Sequence, residues 1–309
     1  MRRSAFFLAA VLAVTTAFPA GGQPVLVETP SLETAVKAGT LPPVATRVPA
    51  QPNIAVLEKH GKSLGRHGGK LQLLMGKQKD TKIMMVYGYA RLISYDENLN
   101  FVSDLLADFG VQDQRIFTFK LRKGHKWSDG HPFTAEDFRY YWEDMATNTE
   151  ISSKGLPQAL LVRGERPTFE VLDETTVRYT WSESNPNFVP WIARPRPLLL
   201  YRPAHYLKQF HAKYADEAKL KAAARKENKR NWANLHGDRD RWYRMDNPAR
   251  PTLQPWYNST KPPSERFIFR RNPYYHRVDK NGRQLPYIDN VVLNLGATNM
   301  VPARTGSGE

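Results

Sequence analysis

The segment from Ile116 to Met145 leaves the chain few choices of fold. Ile116-Phe117-Thr118-Phe119-Lys120-Leu121 alternates so that Phe117, Phe119 and Leu121 share one face while Thr118 and Lys120 take the other, the period of a half-buried strand. Gly124 then permits a turn, Trp127 offers a large apolar plug, and Asp129-Gly130 supplies a second turn. After Pro132, Thr134 is placed to cap a helix whose first turn holds Glu136 and Asp137 near the positive end of its dipole. Phe138, Tyr141, Trp142 and Met145 follow at i, i+3, i+4 and i+7 and predict a core-facing stripe.

Other segments keep this mixed character. Lys70 to Met75, introduced by Gly68-Gly69, reads as the first strand of the folded body. Phe169 to Val171 and Thr176 to Trp181 read as a hairpin across Asp173-Glu174, and Ile288 to Leu295 carries a strong strand signal. A second helix is expected from His205 through Tyr214, with Leu207, Phe210 and Tyr214 on one side, continuing through a Lys- and Ala-rich stretch to Arg225. Pro157, Pro186, Pro190, Pro195 and Pro197 favour strands and extended connections between the two helices. The expectation is an α/β fold of mixed α+β type with segregated or interleaved layers, not a doubly wound sheet.

The N-terminus reads differently. Arg2-Arg3, an uncharged apolar run from Ala5 to Ala17 and the small residues Ala20, Gly21 and Gly22 have the order of an export signal over residues 1–22, and that run is too short to span a membrane. Residues 23–66 carry Pro24, Pro30, Pro42, Pro43, Pro49 and Pro52 among small and polar residues and are expected to form a disordered Pro-rich leader. Zero cysteines exclude a disulfide framework, a thiolate metal site and a cysteine nucleophile, and 41% hydrophobic residues exclude global disorder.

Catalytic and metal-binding patterns find little support. None of the 8 histidines pairs at i, i+4 around a Glu, so no metal or other cofactor is expected. There is no Gly-x-Ser-x-Gly elbow and no glycine loop ending in Gly-Lys-Ser/Thr, while Glu136-Asp137 and Asp238/Asp240 fit a helix turn and a solvated charge pattern. The formal net charge is +15, and the stretch from Lys208 to Arg250 holds 12 Lys plus Arg against 6 Asp plus Glu, with Trp232, Trp242 and Tyr243 interleaved. The export signal argues against nucleic acid and leaves an anionic membrane face, contacted peripherally at most, or an acidic ligand.

Phe119, Leu121, Arg122, Gly124, Trp127, Asp129, Gly130, Pro132, Thr134, Ala135, Asp137 and Phe138 together resemble the consensus segment of family 5 of the extracellular solute-binding proteins, the peptide and nickel receptors of ABC importers. Gly68-Gly69-Lys70-Leu71, Arg271-Asn272-Pro273-Tyr274-Tyr275 and Gln284-Leu285-Pro286-Tyr287-Ile288-Asp289 resemble other parts of the same family. The resemblance implies a clamshell lobe like that of type II periplasmic binding proteins: a first lobe over 67–295 with a smaller subdomain at about 90–195, a truncated crossover at 296–309, and no second lobe. It further implies a periplasmic or cell-envelope receptor, not an enzyme, that binds short peptides and delivers them to a membrane permease. Within the motif, Gly124 and Gly130 are read as turn formers, Trp127 and Phe138 as core and Thr134 as a cap, with Asp129 and Asp137 as structural members. Tyr87, Tyr89 and Arg91 follow the first strand and are the candidate ligand contacts, with half-buried strand residues as the alternative. Gly76-Lys77-Gln78-Lys79-Asp80 replaces the family's usual loop there. The alternative function is a basic exported fragment that binds a polyanion or a partner protein without transport.

Overall fold

The computed structural model of the chain describes residues 23–58 and 61–307, and the export-signal run lies outside them. Its strands are β1 (Asn53–Ile54), β2 (Lys70–Met75), β3 (Ile93–Tyr95), β4 (Phe101–Ser103), β5 (Leu106–Gln112), β6 (Ile116–Leu121), β7 (Thr168–Asp173), β8 (Thr176–Thr180), β9 (Trp256–Asn258), β10 (Arg266–Arg271), β11 (Arg277–Val278) and β12 (Asn290–Leu295). Its helices are α1 (Glu33–Lys37), α2 (Val44–Arg47), α3 (Ile83–Gly88), α4 (Ala135–Arg139), α5 (Phe188–Ala193), α6 (Ala204–Leu207), α7 (Glu217–Lys226), α8 (Trp232–Arg239) and α9 (Val301–Gly306).

Two sheets organise two cores. The first runs β5-β6-β8-β7, antiparallel throughout, with Phe117 opposite Tyr179 and Phe119 opposite Val177. The alternation in β6 turns Phe117, Phe119 and Leu121 inward against Phe138, Trp142 and Phe188, which belong to α4, its π-helical continuation Tyr140–Ala146, and α5. Phe117 and Trp181 meet Phe188 edge-on, at 4.9 and 4.7 Å between ring centroids, a favoured aromatic geometry. The second sheet runs β2-β12-β10-β9, with β2 and β12 parallel and the other pairs antiparallel. Phe267, Phe269, Val291 and Leu293 pack beneath Met84 and Met85 of α3 and Met245.

The motif joins sheet and helix by specific bonds. Gly124 and Gly130 have φ of +78° and +90°, values that favour glycine, and a Cβ at Gly130 would stand 2.7 Å from the Tyr274 hydroxyl. Trp127 is buried and its indole Nε1 donates to Asp137 Oδ2 at 3.1 Å. The same carboxylate accepts from Thr134 N at 3.1 Å, closing a capping box in which Thr134 Oγ1 accepts from Glu136 N, and its other oxygen accepts from Ala204 N at 3.0 Å. Burial pushes the Asp137 carboxyl up to about 7 against the N–H groups that favour its charged form. Asp129 accepts from His205 Nε2 at 2.8 Å, and Phe138 is fully buried.

Two sequence expectations are corrected. Residues 23–58 are folded against the body: Arg47, at 0% exposure, pairs with Glu28 at 2.5 Å and donates to the Pro273 carbonyl. Val27 bridges Arg283, and β1 pairs in parallel with β11. This stretch is held by a buried ion pair and strand pairing, with proline limiting the entropy lost, so apolar clustering was the wrong criterion for its order. The helix expected from His205 to Arg225 is interrupted. α6 ends in a 3₁₀ turn, Lys208–Phe210, and Asp216 starts α7 by accepting from Lys219 N at 2.9 Å, because aspartate favours a cap over a helix interior.

Candidate functional site

In sheets with parallel strands, ligand crevices lie beyond the carboxyl ends of those strands. β2 and β12 end together at Met75 and Leu295, where Gly296 N donates to the Met75 carbonyl at 3.0 Å. The chain leaves β2 through Gly76, and the Asp80 carboxylate accepts from Lys77 N at 3.0 Å, which folds the 3₁₀ turn Gln78–Lys82 that leads into α3. A cavity of about 370 Å³ opens there, walled by Leu73, Met75, Ile83, Val86, Tyr87 and Tyr243. Thr81 Oγ1 donates to the Arg244 carbonyl at 2.7 Å and so fixes the Tyr243 loop against the turn. The wall is apolar and aromatic with a polar rim, which suits a solute that presents flat or extended surface.

Tyr87, at 52% exposure, separates this cavity from a second of about 310 Å³ lined by Pro255, Trp256, Tyr275 and Tyr287. Tyr89 ends α3 in the left-handed region at φ +40°, its hydroxyl donates to the Ala193 carbonyl at 2.7 Å, and its ring lines a third cavity. Arg91 is 1% exposed and its guanidinium donates to the Met85, Ala90, Arg194 and Pro195 carbonyls and to Met85 Sδ, so its five N–H groups are all engaged. Burial lowers its pKa, and those carbonyls hold the charge in place. The structure thus separates the three expected contacts: Tyr87 faces the candidate cleft, Tyr89 faces elsewhere, and Arg91 is a brace. The sequence placed Tyr243 among the aromatics of the basic stretch and not in this cavity, because it arrives from the loop after α8 without local periodicity, whereas the Lys77–Asp80 turn was visible as a departure from the family's loop.

The floor of the third cavity, about 460 Å³, is a buried charge cluster. Asp104 accepts from Arg277 Nη2 and Nε at 2.5 and 2.8 Å, from His276 Nε2 at 2.6 Å, from Asn53 Nδ2 at 3.1 Å and from Arg91 N at 3.0 Å. Burial alone would raise the Asp104 pKa, but Arg277 and His276 outweigh it and hold the carboxyl well below the usual range.

Comparison with known proteins decides the family. Residues 100–306 match the family described as Bacterial extracellular solute-binding proteins, family 5 Middle, which covers more than half of the chain. The chain belongs to that family. It is 28% identical over 302 residues to the Periplasmic alpha-galactoside-binding protein of Rhizobium meliloti, a match covering 89% of this chain and 40% of that one. It is 34% identical over 98 residues to the Periplasmic oligopeptide-binding protein OppA of Escherichia coli, covering 27% and 18% of the two chains. Among solved structures it superposes on an oligopeptide-binding protein OppA with a TM-score of 0.83 at 29% identity, covering 94% of this chain and 44% of that one. The periplasmic binding protein MelB of Agrobacterium fabrum, in complex with stachyose, matches with a TM-score of 0.68 at 25% identity over 95% and 47% of the two chains. The family 5 member described here therefore has the α/β architecture of periplasmic binding proteins and spans less than half the length of these relatives. Its family consists of solute-binding proteins and not enzymes.

Proposed function

We propose that this chain forms one wall of the solute cleft of an ABC-importer receptor that carries short peptides to a membrane permease, in the periplasm or at the cell envelope. The observation that carries the reading is the apolar and aromatic cavity beyond the paired carboxyl ends of β2 and β12. In this reading residues 67–295 make the first lobe, with about 90–195 as its subdomain. Likeness to proteins named for oligopeptide binding supports the peptide. A second reading is an α-galactoside-type oligosaccharide, favoured by the match of 89% of this chain to part of an α-galactoside-binding protein and by the exposed Tyr87 ring, whose flat face suits a sugar.

Calorimetric titration of the chain with trialanine and with raffinose separates the two. Saturable, mildly salt-sensitive binding of one ligand, weakened at least about tenfold by Tyr87→Ala, supports the cleft reading; a tenfold loss corresponds to about 1.4 kcal/mol. Binding that Tyr87→Ala leaves unchanged refutes this cavity as the site. Binding of polyanions alone, with affinity falling steeply in salt, refutes transport in favour of the polyanion alternative.

A further inference from the structure

The rim of the candidate cleft carries an excess of positive charge. Lys77 and Lys79 are exposed in the turn after β2, Lys82 lines the cavity, and among the described residues none of the three forms an ion pair. Across the cavity the Arg196 guanidinium lies 4.5 Å over the Tyr243 ring, and Arg244 is exposed beside it, also without a carboxylate partner among the described residues. The acidic side chain that lines the cavity, Asp80, is engaged with the Lys77 backbone N–H. A cluster of unpaired cations around a low-dielectric wall concentrates positive potential where the solute approaches.

We propose that the solute taken against this wall is an oligomer bearing carboxylates, either an acidic short peptide or a uronic-acid oligosaccharide. This rests on the reading that the cavity beyond β2 and β12 faces the solute. Lysine and arginine at the rim supply flexible, charge-assisted hydrogen bonds to carboxylates, while Tyr87 and Tyr243 support the oligomer's backbone or rings. A neutral solute gains nothing from these cations, and a cationic one is repelled.

The test titrates the full chain with triglutamate, trialanine and trilysine, and with trigalacturonate and maltotriose, at low and at physiological salt. The expected result is that triglutamate or trigalacturonate binds at least about tenfold tighter than its neutral counterpart at low salt, narrowing as salt rises. Whichever acidic probe binds identifies the source. Lys79→Gln and Lys82→Gln each weaken the acidic probe about threefold, the size expected for one solvent-screened charge, and weaken its neutral counterpart by less. Equal or tighter binding of the neutral counterparts, or no binding of either acidic probe, overturns the proposal. Neutral binding that Tyr87→Ala weakens and the lysine variants do not overturns charge selectivity while leaving the cleft reading standing. Acidic binding that neither the lysine variants nor Tyr87→Ala weakens would place the acidic site away from the cleft and overturn both readings.

Discussion

Asp104 is the most exacting place to test the energetic account. It joins three distant stretches: Asn53 at the N-terminal end of β1, Arg91 after α3, and His276-Arg277 leading into β11. Its side chain is 2% exposed and that of Arg277 24%, so the pair is largely desolvated. Asp104→Ala leaves a mostly buried guanidinium without its counterion and strands the donors of His276 and Asn53. The expected cost is about 3–5 kcal/mol, the range for breaking a buried pair by removing one partner. Removing both charges as Asp104→Leu with Arg277→Met takes away the uncompensated charge. That double variant is expected to cost at least ~2 kcal/mol less than the sum of its single variants. Urea unfolding followed by tryptophan fluorescence near neutral pH measures each corner of the cycle. A cost below about 1 kcal/mol for Asp104→Ala, with additive singles, would mean the pair is screened as surface pairs are and would refute the argument.

Two further predictions follow from the same packing. Burial lowers the pKa of His125, His276 and His236, the last from 6.5 to about 4, so the unfolded chain binds protons that the fold refuses. The stabilisation is complete above pH 6.5 and declines as pH falls, by about 3 kcal/mol at pH 4 for His236 alone. The Asp137 carboxyl, raised by burial to about 7, acts in the opposite sense over the same range, so the histidine term is read as the difference between the native chain and His236→Gln; a difference in urea midpoint that stays constant from neutral pH down to about 4.5 would refute the histidine account, and Asp104, depressed below 3.8, adds its loss only at still lower pH. Gly282 sits at φ +76°, and a Cβ there would overlap the Val25 carbonyl. Gly282→Ala is expected to cost more than about 1 kcal/mol and to open residues 23–58 to protease, and unchanged protease resistance would count against their docking at this turn.

Much of the architecture could be read from local pattern because local bonds set it. Strict alternation from Ile116 to Leu121 fixed β6, and the Thr134 cap with its acidic first turn fixed the start of α4. Phe138, Tyr141, Trp142 and Met145 are all buried, although the later turns widen to a π-helix, which i, i+3, i+4 spacing does not reveal. The motif's spacing makes physical sense in the fold, since Trp127 and Asp137 meet through one hydrogen bond that locks the plug to the cap. What escaped was non-local. Glu28 and Arg47 announce nothing in sequence until each has found the other, and Arg91 resembled a ligand contact because sequence does not show four carbonyls converging on it. Only Tyr87 of the three candidate contacts has an accessible face on the cleft, since accessibility depends on how α3 is rotated against the second sheet.

The pairing of β2 with β12 also constrains the order of events during synthesis. All the strands of the first sheet lie between Leu106 and Thr180, so its hairpins can close as soon as that length of chain is available. The edge of β2 occupied by β12 has no native partner until Asn290–Leu295 is made, and Leu71, Leu73, Leu74 and Met75 meanwhile form an apolar strand with open hydrogen-bonding edges. The candidate cleft therefore forms only once β12 has been made. The chain has to be protected from strand-mediated association for the whole interval between synthesis of β2 and synthesis of β12.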